Sequence, residues 1–126
     1  MIYSIFSTVG MPSEEIPSHI NGAEKGIQGL LGYLHYNVEK GGPNETVRRS
    51  RLEYIYKVEL ITGGNSDNRD YIAEFGEPES DKRYYKIQRV IDSNLNKFGS
   101  MTTPAWRECI GKWEDDVDWF VETFGN

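Results

Sequence analysis

The sequence predicts an α+β fold: a small antiparallel sheet of about three strands covered by about three helices, in the order β-α-β-β-α-α, within one domain spanning residues 1–126. Three observations lead there. Apolar residues recur at three- and four-residue steps in three separate stretches, as they do on a helix with one buried face. The stretch Arg51–Ile61 alternates its two sides like a half-buried antiparallel strand. Clusters of Gly, Pro and Asn close each of these runs.

Taken in order, Ile2–Val9 is short, β-branched and aromatic, and Gly10-Met11-Pro12 stops it, so it reads as a first strand. Pro12–His19 is loop-like, with Pro17 opposing a helix. Ile20–Lys40 reads as a helix, with Ile20, Ala23, Ile27, Leu30, Leu31, Leu34 and Val38 on one face and Gly41-Gly42-Pro43 as its stop. Gly22, Gly26, Gly29 and Gly32 fall inside it, each costing about 1 kcal/mol against alanine. Gly22, Gly26 and Gly29 lie along a second face that continues into Tyr33 and Tyr36, and this bare strip lets a backbone or a flat ligand come close. Tight packing is the simpler meaning; a loop first and a helix later is another.

Arg48, Arg49 and Arg51 introduce the strand Arg51–Ile61, which puts Leu52, Tyr54, Tyr56, Val58 and Leu60 on one side. Thr62–Asn68 is turn chemistry, and Arg69–Phe75 returns as a second strand with Tyr71, Ala73 and Phe75 together. Ser80–Phe98 keeps helical spacing through Tyr84, Ile87, Ile91, Leu95 and Phe98, capped by Ser80 and stopped by Gly99; Tyr84–Ile91 alone also suits a strand. Thr103–Phe124 is the clearest helix. Trp106, Cys109, Ile110, Trp113, Val117, Phe120, Val121 and Phe124 form its stripe, Thr103 can cap it, Pro104 suits its first position and Gly125 its end.

The net charge of −6 opposes binding to nucleic acid or an anionic membrane. There is neither a long apolar run nor a secretory leader pattern, and Cys109 is the single cysteine, which together point to the cytoplasm. Cys109 sits at the edge of the apolar stripe and reads as a structural thiol. Metal-ligand spacings, phosphate loops and nucleophile elbows are absent, so no cofactor, metal or catalytic residue is assigned. An enzyme using His19 or His35 as a base is the least favoured class.

Charge is strongly segregated. From Pro104 onward six acids face two bases, whereas Lys82–Phe98 holds five bases and one acid. The favoured reading is a non-catalytic binding or inhibitor protein, of the immunity or anti-defence kind. Its last helix would meet a basic surface of a partner protein through Asp115, Asp118 and Glu122, with an exposed Trp119 as anchor. That analogy rests on size and charge. The alternative is a binder of an anionic, nucleotide-like small molecule. Tyr33, Tyr36, Tyr84 and Tyr85 would supply stacking faces, and Arg48, Arg49, Lys86, Arg89 and Arg107 the anion donors, within one chain or across a homodimer. Ordinary solvated charge is the plain alternative to both.

Overall fold

The computed structural model describes residues 12–18, 20, 29–63 and 68–125. Among them the chain runs β1 (Ser13–Glu15), α1 (Gly29–Tyr33), α2 (Glu45–Lys57), β2 (Glu59–Ile61), α3 (Arg69–Ala73), α4 (Asp81–Phe98) and α5 (Pro104–Phe124). Mixed helix and strand is therefore right as a class. The expected strand Ile2–Val9 lies outside the described residues, as do Gly22, Gly26 and His19.

The last two helices form where their caps and stripes place them. Thr103 accepts a hydrogen bond from the Trp106 N–H at 3.3 Å, and Pro104 opens α5. Ser80 accepts one from the Arg83 N–H at 3.1 Å, and α4 continues unbroken through Tyr84–Ile91. The two helices pack on each other, and α5 also packs on α2. Leu30, Leu52, Ile55, Val58, Phe75, Ile87, Ile91 and Phe120 are wholly buried in the shared core, each worth about 1.5–3 kcal/mol of burial.

The middle of the chain differs from its sequence reading. Arg51–Ile61 is not one strand: α2 occupies most of it, and its strand is confined to Glu59–Ile61. Asn44 starts the helix by accepting from the Val47 N–H at 2.9 Å. Its outer surface carries two (i, i+4) ion pairs, Glu45–Arg49 at 3.5 Å and Glu53–Lys57 at 2.9 Å. Arg48, Leu52 and Ile55, at steps of four and three, are its buried residues. The alternation of Tyr54 and Tyr56 with charged neighbours came from two half-buried tyrosines whose hydroxyls reach polar partners, Glu14 at 2.7 Å and the Glu79 carbonyl at 3.2 Å. Arg69–Phe75 is likewise a short helix and turn that buries Ile72 and Phe75.

No antiparallel hairpin therefore forms there. The sheet among the described residues is one parallel pair, with Ser13 opposite Glu59, Glu14 opposite Leu60 and Glu15 opposite Ile61. β1 lies in the segment expected to be a loop. Parallel strands need a crossover connection, and α1 and α2 lie between these two.

Nor is Ile20–Lys40 one helix: its described part is helical only from Gly29 to Tyr33. The stop is a Schellman turn. The Tyr36 N–H bonds the Leu31 carbonyl at 2.8 Å and the His35 N–H bonds that of Gly32 at 3.0 Å. His35 takes the left-handed position, with φ of 74°, that a glycine would fill without strain. Residues 36–39 then belong to neither helix nor strand. The Leu30 N–H donates to the Tyr71 hydroxyl at 3.0 Å, which ties α1 to α3.

Arg83 locks the ends of several elements. It is 1% exposed, and its guanidinium donates to the carbonyls of Ile55, Val58, Phe75 and Gly76 at 2.7–2.9 Å. A cation there satisfies carbonyls that the ends of α2 and α3 leave open. Burial pushes the group down to about 10, with Glu77 opposing, so it stays charged at neutral pH. Among the described residues no helix is long and apolar enough to cross a membrane.

Candidate functional site

The outward face of α5 presents Glu114, Asp115, Asp118 and Glu122, all exposed. None of the four forms an ion pair among the described residues. Asp115, Asp118 and Glu122 lie at steps of three and four, so they share one edge of the helix. The basic residues of α4 do not neutralise them: Lys86 instead pairs with Glu74 at 2.6 Å.

Trp119 flanks that acidic edge but is not the free anchor the sequence suggested. It is half-buried. The Arg49 guanidinium lies 5.6 Å from its ring centroid, and the Phe124 ring meets it edge-on at 5.7 Å. α2 supplies the arginine and the last turn of α5 the phenylalanine, and between them they cover much of the indole. Part of the ring remains accessible beside the carboxylates.

One turn inward the chemistry reverses. Asp116 is completely buried. Its Oδ2 accepts from Arg48 Nε at 2.6 Å and from the Tyr36 hydroxyl at 2.9 Å, and its Oδ1 accepts from Arg48 Nη2 at 3.2 Å. Arg48 also reaches the Pro43 carbonyl at 3.3 Å. Burial first, then the Asp116 charge and hydrogen bond, hold the Tyr36 hydroxyl protonated far above its usual range, with Arg48 opposing. For Arg48, burial is the largest influence and works against its charge, but the hydrogen bond and charge of Asp116, with Tyr36 and Glu45 adding to them, together raise its proton affinity. The polar groups of Tyr36 and Arg48 are thus engaged in this buried cluster. Sequence reasoning counted Asp116 with the solvated acids. The signal it missed is spacing: Trp113, Asp116, Val117 and Phe120 are on one helical stripe, where a carboxylate requires a buried partner.

The remaining ligand candidates do not converge either. Tyr84 stacks on Phe120 at 5.4 Å, inside the core, and Tyr85 is exposed against its edge. Arg49 covers Trp119, and Arg107 bonds the Gly99 and Met101 carbonyls at 3.1 and 3.4 Å. Tyr33 is half-buried. Of the candidates, Tyr36, Lys86 and Arg89 line one concave surface. That surface is a groove of about 1050 Å³ between α4, α5 and residues 36–39 after α1. Gly29 and Gly32, the described glycines of Ile20–Lys40, also line it, together with Phe98, Trp106 and Trp113, which were assigned to the core.

His35 is exposed on its turn. Cys109 is only half-buried, with its sulfur 3.5 Å from the Val38 carbonyl. Among the described residues no three His, Cys, Asp or Glu side chains gather where they could hold a metal ion. Comparison with protein-family models, curated proteins and solved structures finds no match to this chain.

Proposed function

We propose that this chain is a non-catalytic binding protein, of the inhibitor kind, that lays the outward face of α5 on a basic surface of a partner protein. The observation that supports this is the set of four exposed carboxylates on α5 without an ion pair among the described residues. Unpaired surface acids add little to folding, so their concentration on one rigid helix suits recognition. Trp119 supplies apolar area beside Asp115 and Asp118, with Arg49 and Phe124 holding its orientation. A preset aromatic side chain loses little entropy on binding. The reading includes a reducing, cytoplasmic setting, on the basis of the single cysteine.

The test is affinity capture with the wild-type chain and with an Asp115→Lys/Asp118→Lys variant that melts normally. A basic protein held by the first and lost by the second is the expected result, with Trp119→Ala weakening capture as well. Equal retention by all three chains would refute the reading.

A further inference from the structure

The groove between α4 and α5 has two walls of different chemistry. On α4, Lys86, Arg89, Ser93 and Lys97 recur at steps of three and four, so they project along one side of the helix. The facing wall of α5 contributes Ala105, Trp106, Cys109 and Trp113, with no charge. Phe98, at the end of α4, stacks on Trp106 at 4.7 Å and lies 6.1 Å from Trp113. All three rings are only half-buried. A concave cluster of half-exposed aromatic rings is an unusual use of apolar surface in a chain with so few apolar residues.

The third wall is the segment 36–39 after α1. It is pinned to α5 at one carbonyl: Val38 O accepts from Lys112 Nζ at 3.3 Å and from Cys109 Sγ at 3.5 Å. The groove is thereby held open by contacts made within the fold, as small-molecule sites are. Its cations differ in availability. Lys86 is taken by Glu74 at 2.6 Å. Arg89 forms no ion pair among the described residues, and Lys97 Nζ lies 5.3 Å from the Phe98 ring centroid. Glu39 and Asp92 also line the groove; around α4, Asp92 lies about 60° from Arg89 and about 105° from the middle of the basic stripe.

We propose that this groove binds a planar aromatic anion, with the ring against Phe98, Trp106 and Trp113 and the anionic group on Arg89 and Lys97. A ring of that kind gains stacking area on one wall, and its charge gains guanidinium and ammonium donors on the other. This site is independent of the acidic face of α5 and uses none of its residues.

The probe is the fluorophore anilinonaphthalene sulfonate, titrated against the full chain under conditions where it melts cooperatively. Saturable one-to-one binding is expected, with the neutral phenylnaphthylamine binding about tenfold more weakly. Arg89→Glu/Lys97→Glu should weaken the sulfonate by about tenfold and leave the neutral probe little changed. Ser93→Trp, at an exposed position on the basic wall, should block both. Lys82→Glu on the same helix, and Asp115→Lys/Asp118→Lys on α5, should change neither. Equal affinity for the two probes, insensitivity to the charge reversal, or no saturable binding by a cooperatively folded chain would each overturn the proposal.

Discussion

Asp115 and Asp116 are neighbours on α5 and meet opposite surroundings. Asp116 is sealed under Arg48 and Tyr36 with its oxygens satisfied, while Asp115 stands in water with Asp118 and Glu122. The helix turns by about 100° between them, and that rotation separates a structural group from a free one. A buried carboxylate is tied to its partners, because losing one leaves an uncompensated charge in a poorly polarisable interior. An exposed carboxylate interacts mainly with water, so it can be used in binding at little cost to the fold.

The contrast can be broken most severely at the inner position. Asp116→Ala leaves Arg48 buried without its counter-charge and should cost about 3–5 kcal/mol, read as a large fall in the denaturation midpoint. Retention of the midpoint within experimental error would show that water replaces the carboxylate. Tyr36→Phe should cost less, about 1–2 kcal/mol at neutral pH, since one hydrogen bond to Asp116 is lost.

That same variant sharpens the comparison through pH. Tyr36 has its proton affinity raised on folding, first by burial and then by Asp116. Its contribution is therefore fully present below the usual tyrosine value near 10 and is lost as the pH rises above it. Tyr56, Tyr71 and Tyr84 are shifted the same way, chiefly by burial. Arg83, shifted down, works in the opposite direction in that window. Melting temperature should fall above pH 10, and Tyr36→Phe should flatten that fall; an unchanged slope would sever the link to this tyrosine.

Smaller effects belong to the outer face. A Cβ at Gly111 meets nothing within 4 Å, so Gly111→Ala should stabilise α5 by about 0.8–1 kcal/mol. Asp115→Lys/Asp118→Lys should shift stability by less than about 0.5 kcal/mol while changing partner capture. Thermal melts of both variants check these values, and a large loss from the lysine pair would mean that the outer carboxylates have a structural role.

Both long helices at the C-terminal end could be read from residues alone. Each has a side-chain cap, an apolar stripe of three- and four-residue steps and a glycine at its end, and all of these act locally. α2 was missed because its composition fits two periods. Leu52, Tyr54 and Tyr56 alternate like a strand, while Asn44, Glu45–Arg49 and Glu53–Lys57 carry the capping and pairing of a helix. Packing of Leu52 and Ile55 into the core accompanies the second choice. For the candidate sites, the exposed acids of α5 were legible, whereas the groove was not. Its rings lie on apolar stripes that read as core, and nothing in their spacing shows that the residues after α1 leave them half open.

The sequence by itself determined where the two C-terminal helices begin and end, because capping and helical period act within a few residues. Only the tertiary structure decided the parallel pairing of β1 with β2, the burial of Asp116 under Arg48 and Tyr36, and the meeting of α4 and α5 in a groove. The strand pairing and the Asp116 cluster join residues 46 to 80 positions apart, and no local preference specifies such contacts before the core brings them together.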